Sequence, residues 1–205
     1  MRFTTAVPAI LALVGATTAA PLTARDDKVT ADIIARIAPL SQSCSDTNEC
    51  RTNVQAAPFI SAATANLSTG ATAAVIALTA FESADYKYKR NKYPGRPGQG
   101  TSNMQMVNYN ILYAQSIPAL QSAVAQIGSI TTDDQRNELL DLLVDDKYNF
   151  GSGPWFLTTQ CSPEVLTELD QGTDAAFSAY MACVGTDVTS DRLAYWTRAK
   201  AAFNL

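Results

Sequence analysis

Apolar residues recur at three- and four-residue spacing along nearly the whole chain, and alternating strand-like runs are scarce. The pattern predicts helices near 28–39, 50–66, 70–84, 107–126, 132–145, 154–161, 163–171, 174–184 and 190–203. Their ends are marked. Thr132 and Gln135 form a capping box, and Ser162, Pro163 and Glu164 supply an N-cap, a proline at the first helical position and an acid in the first turn. Gly172 and Gly185 read as helix-ending glycines, and Pro58 and Pro118 should break or kink the helices around them. The fold class is therefore all-α, one helical domain over residues 28–205.

One long segment departs from the pattern. Residues 85–105 carry Pro94, Gly95, Pro97, Gly98 and Gly100, so no helix is expected there. A loop of this length in a compact domain is uncommon and is usually functional or disordered. It also holds Tyr86, Tyr88 and Tyr93, more than a linker needs.

The first residues change the cellular picture. Arg2 followed by an apolar run from Ala6 to Val14 and small residues from Ala16 to Ala20 reads as a signal peptide over 1–19, too short to span a membrane. Residues 20–27 read either as a pro-segment cut after Arg25 or as a disordered tail. The expected product is secreted, extracellular and monomeric, with no membrane partner. Its four cysteines, Cys44, Cys50, Cys161 and Cys183, then read as two disulfides. Of three possible pairings the local one is favoured, Cys44 with Cys50 and Cys161 with Cys183. Loop-closure entropy gives these roughly 2.4 and 3.4 kcal/mol. Asn66, Leu67 and Ser68 form an N-glycosylation sequon in a predicted turn.

The chain has no histidine, which removes Ser-His-Asp and Cys-His nucleophile systems and histidine-ligated metals. Acid–base chemistry then falls to Asp, Glu, Lys or Tyr, with no metal or other cofactor implied. A net charge of −4 argues against a nucleic-acid binder. Against this background Glu82 is conspicuous. It lies four residues after Leu78 and seven after Val75, on an apolar stripe at the end of the run 70–83. Its charge is poorly placed at a helix C-terminus, so helix stability does not explain it. Apolar surroundings would hold a carboxyl in its protonated form, the property a glycosidase general acid needs.

Glu82 and Ser83, followed after the loop by Gly100 to Met106 (GTSNMQM), resemble the signature of the lysozyme-like superfamily, closest to its lytic transglycosylase and goose-type lysozyme branch. The resemblance implies a lysozyme-like helical domain with a buried central helix and a cleft beside the loop. It implies Glu82 as general acid/base and a substrate-binding set of Ser83, Asn103, Gln105 and Tyr180. Tyr180 enters through a weaker echo in the segment 178–185, where Met181 and Cys183 depart from the branch pattern. The expected partner is a polysaccharide of β-1,4-linked N-acetylated amino sugars, peptidoglycan ahead of chitin. The other reading is a non-catalytic secreted carbohydrate-binding or host-interaction protein.

No second carboxylate can be picked from the sequence. Asp85 reads as capping its turn, and Asp46, Asp170 and Asp174 have nothing to distinguish them. Lys87, Lys89, Arg90, Lys92 and Arg96 form a basic run that would steer an anionic polymer or else be a solvated face. Asp133, Asp134, Asp145 and Asp146 read as helix-terminal acids, and Trp155, Phe156, Tyr195 and Trp196 as core aromatics rather than sugar platforms.

Overall fold

The computed structural model describes residues 28–205. The predicted signal peptide and the pro-segment or tail lie outside these residues. Eleven of the 14 residues of a single helix, α3 (Thr69–Glu82), are buried, and the other helices are arranged around it. In chain order they are α1 (Ala31–Ile37), α2 (Asn53–Ala63), α3, α4 (Val107–Ser116), α5 (Gln121–Ile127), α6 (Asp133–Leu143), α7 (Asp146–Asn149), α8 (Ser152–Gln160), α9 (Pro163–Glu168), α10 (Asp174–Cys183) and α11 (Ser190–Phe203). Among the described residues there is no strand, only the isolated bridges Arg90 to Gly100 and Gly100 to Gln105. The all-α class is as predicted, and no described helix is long and apolar enough to cross a membrane.

The burial of α3 follows from its composition. Ala71, Ala73, Ala74, Ala77 and Ala80 present little bulk, so neighbours approach on every side. Its principal partner is α11, whose Trp196, Ala199 and Ala202 enter the same core as Ile76 and Val75. Gly70 marks the closest approach: a Cβ there would lie 1.9 Å from the Leu169 carbonyl oxygen. A second, smaller core joins Tyr113 and Ala114 of α4, Val124 of α5, and Leu139 and Leu143 of α6.

Caps and breaks follow local chemistry. Thr132 and Gln135 complete their capping box, and Gly172 and Gly185 adopt φ of 63° and 76°. Ser162 stands at the N-cap of α9 with Pro163 behind it, but its side chain makes no capping bond. Pro118 ends the predicted helix 107–126, which becomes α4, a 3₁₀ turn (Pro118–Leu120) and α5. Pro58 does not break α2. Residues 54 and 58 are both exposed, so water can take the Val54 carbonyl that loses its helical donor. The two disulfides join Cys44 to Cys50 and Cys161 to Cys183, the local pairing. Asn66 is exposed between α2 and α3, and Ser68 of the sequon caps α3 by accepting from the Ala71 N–H.

Gly70→Ala is expected to lower stability by about 1–3 kcal/mol, because the added carbon meets backbone and not a movable side chain. Urea unfolding measures this, and an unchanged midpoint would show that the turn at Leu169 can retreat.

Candidate functional site

At the end of α3 the chain must leave the core within a few residues. Ser83 starts the exit: its Oγ donates to the Thr79 carbonyl at 2.6 Å and accepts from the Tyr86 N–H at 2.9 Å. Ala84, Asp85 and Tyr86 then take φ of 51°, 59° and 62° in succession. Each left-handed non-glycine residue costs on the order of 1 kcal/mol, so the turn needs external support. Asp85 provides it. Its buried carboxylate accepts from the Leu40 N–H at 2.8 Å and the Tyr195 hydroxyl at 2.5 Å. Burial and this bond push the Tyr195 phenol well above its ordinary range.

The turn leaves Glu82 half-buried, with its side chain 24% exposed, at the meeting point of two hollows. One, about 320 Å³, runs between the α3 end, the loop at 96–106, Tyr109 of α4, Phe156 of α8 and Arg192 of α11. The other, about 370 Å³, is bordered by Tyr88, Arg90, Asn91, Lys92 and Tyr93. Gln99 and Met104 border both, as Glu82 does, so the two hollows, together called the groove, adjoin at the acid. Among the described residues Glu82 is the single carboxylate lining either hollow.

The surroundings of Glu82 differ from those the sequence suggested. An ion pair replaces the expected apolar enclosure: Arg192 Nη2 donates to Glu82 Oε1 at 2.7 Å. The guanidinium is seated over the Phe81 ring, 4.5 Å from its centroid, and Phe81 meets Tyr195 edge-on at 5.6 Å.

Of the residues assigned to substrate, Asn103 and Gln105 do line the groove with Glu82. They belong to a chain of amides in which Asn103 Nδ2 donates to Gln105 Oε1 at 3.3 Å and Gln105 Nε2 donates to Asn110 Oδ1 at 2.8 Å. Asn110, fully buried, donates in turn to the Gly98 carbonyl at 2.8 Å, which fixes the loop. Asn103 Oδ1 is buried without a partner. Ser83 is corrected to a structural role, since it is fully buried and its hydroxyl is occupied within the turn. Tyr180 is likewise not on the groove surface. It is fully buried, its hydroxyl has no partner, and both burial and the nearby Glu82 charge push the phenol up.

The loop is ordered by its own backbone. Thr101 N–H donates to the Lys89 carbonyl at 2.8 Å, and a Cβ at Gly100 would sit 2.6 Å from that same oxygen. Its basic run is largely compensated. Lys89 pairs with Asp146 at 2.7 Å, Arg90 with Asp141 at 2.7 Å and Lys92 with Glu49 at 2.7 Å, while Lys87 donates to the Ser43 carbonyl. The steering field expected of the run is thereby reduced. Asp133 and Asp134 lie in the first turn of α6, and Asp145 caps α7, as helix-terminal acids do. Among the described residues no group of three acidic or cysteine side chains could hold a metal. Trp196 and Phe156 are buried, as read, but Phe156 also forms a wall of the groove.

Arg192, Tyr109 and Asn110 are the site residues the sequence reading missed. Arg192 carried one usable signal: a cation in the first turn of α11 opposes the helix dipole, just as Glu82 does at the end of α3.

No protein-family model matches the chain, and no solved structure matches it. It is 53% identical over 157 residues, 74% of its length, to a bifunctional dioxygenase (DOX)-epoxy alcohol synthase (EAS) of Fusarium oxysporum (strain Fo5176). The matched part is 12% of that protein.

Two stability outcomes follow. Asp85→Ala is expected to cost about 1–3 kcal/mol, with a clear coupling to Tyr195→Phe in a double-mutant cycle; additive effects would show that the bond does not support the turn. Tyr180→Phe is expected to leave stability unchanged or raise it by about 1 kcal/mol, since it removes a buried hydroxyl with no partner. A large loss in thermal unfolding would mean the hydroxyl has a partner after all.

Proposed function

We propose that this is a secreted, lysozyme-like, glycan-cleaving enzyme that acts on β-1,4-linked N-acetylated amino-sugar polymers, peptidoglycan ahead of chitin. The observation that carries the reading is the position of Glu82. Among the described residues it is the one acid lining either of two adjoining hollows. A polymer laid in that groove would bring a glycosidic oxygen to the carboxyl, which protonates it as the bond breaks. With one acid, the same residue then accepts a proton from the attacking water or internal hydroxyl. Asn103 and Gln105, held by Asn110, would supply hydrogen bonds to sugar. Two disulfides among the described residues support an extracellular setting.

The dioxygenase and epoxy alcohol synthase activities in the relative's name are not carried over, because the match covers 12% of that protein. The specific observation favouring a non-catalytic binding protein is the Glu82–Arg192 ion pair, which would make Glu82 a structural acid.

A turbidity assay on bacterial cell walls decides between the two. Wild type should clear the suspension, and Glu82→Gln should reduce the rate by about 100-fold or more. Absence of clearing by wild type, on walls and on chitin oligomers alike, would sink the enzymatic reading.

A further inference from the structure

Arg192 is incompletely satisfied. A guanidinium offers five N–H donors in a planar fork suited to two-point recognition of a carboxylate. Here Nη2 makes a single bond to Glu82, Nη1 reaches only the Asp187 carbonyl at 3.4 Å, and Nε is buried with no partner. Leaving a buried charged-group donor unmatched is costly, and the Phe81 ring beneath the guanidinium supplies no acceptor in the plane of its N–H groups. The same hollow contains a second guanidinium. Of the 87–96 run, Lys87 and Arg96 have no acidic partner among the described residues; Lys87 is held by the Ser43 carbonyl, while Arg96 lines this hollow with its Nη1 3.8 Å from Met106 Sδ. Two guanidiniums and one carboxylate line this hollow, so it carries a net positive charge in a chain of net charge −4.

We infer that the groove takes a glycan bearing carboxylates, and that Arg192, with Arg96, is the substrate-binding residue that reads them. This deepens the glycan reading and rests on it. A substrate carboxylate would accept from the Nη2 group of Arg192 in place of Glu82, freeing Glu82 from its ion pair. The preference for an anionic polymer, expected from the run of Lys87, Lys89, Arg90, Lys92 and Arg96, then belongs to Arg96 of that run together with Arg192, since the run's other cations are already bonded within the protein.

Calorimetric titration of the purified protein tests this without turnover. The probes are a neutral N-acetylglucosamine tetramer, a tetramer alternating N-acetylglucosamine with N-acetylmuramic acid, and that second tetramer with its carboxylates carried on short stem peptides. Either anionic tetramer should bind at least about tenfold tighter than the neutral one, with a preference that shrinks as salt rises. Which of the two shows it identifies the lactyl or the peptide carboxylate as the group read. Arg192→Gln and Arg96→Gln should each reduce the preference. Glu82→Gln should strengthen anion binding, because it removes the competitor for Arg192, and the gain should vanish in the Arg192→Gln background; a gain that persists there would be simple relief of charge repulsion and would count against Arg192 as the reader. Arg96 is exposed, so its variant keeps the test valid if Arg192→Gln fails to fold. Equal affinity for neutral and anionic tetramers, no binding of any of them, or a preference that survives Arg96→Gln and is not raised by Glu82→Gln would overturn the inference. The two proposals fail separately. Charge-selective binding without wall clearing sinks the enzymatic reading alone, and wall clearing without charge selectivity sinks this one alone.

Discussion

The burial of α3 is the constraint on which the rest depends. A helix enclosed on nearly all sides must be built of small residues, and close approach then becomes obligatory: at Gly70 to the Leu169 backbone, and at Gly153, where a Cβ would come within 2.8 Å of Thr79 Cγ2. The same burial dictates what happens at the helix end. The chain has to turn out of the core beneath α11, and it does so through three consecutive left-handed residues that lack the freedom of glycine. Such a turn persists only if the surroundings fix it, and Asp85 and Ser83 do so with bonds to Leu40, Tyr195, Thr79 and Tyr86.

Glu82 is held by a closed circuit of contacts. From its carboxylate the circuit runs to Arg192, through the Phe81 ring to Tyr195, from the Tyr195 hydroxyl to Asp85, and back along the turn. Glu82 and Arg192 each oppose the dipole of their own helix, an anion at the end of α3 and a cation at the start of α11. Each misplacement is offset by the other, which ties the register of α11 on α3 to the position of the acid. Tertiary contact, more than local preference, decides where this carboxylate points.

That division explains what could be read from the sequence. Helix positions, the Thr132 box, the glycine ends, the break at Pro118 and the local disulfides were legible because each depends on residues a few positions apart. Glu82 was legible as a misplaced charge; Asn103 and Gln105, picked out by a resemblance, do line the same hollow, and whether they bind sugar is part of the proposal. The partners of the basic run were not, because Glu49, Asp141 and Asp146 lie roughly 40 to 60 residues away in sequence from the cations they meet. Arg192 escaped for the same reason, 110 positions from Glu82. Ser83 was misread because a serine after a catalytic-looking glutamate suggests substrate, whereas its hydroxyl is what closes the turn.

A lone carboxyl that both gives and takes a proton must be accommodated in two charge states. In the proposed reaction Glu82 is neutral before it protonates the leaving oxygen and anionic afterwards. A wholly apolar pocket would suit the first state and penalise the second. Arg192, 2.7 Å away, is a counter-charge for the second. If a substrate carboxylate draws Arg192 away on binding, Glu82 is released from its ion pair while the polymer is intact. The guanidinium can return to Glu82 once the proton has been transferred. The ion pair that first argues for a structural acid is then compatible with the proposed reaction, in which a single residue performs both halves of the chemistry.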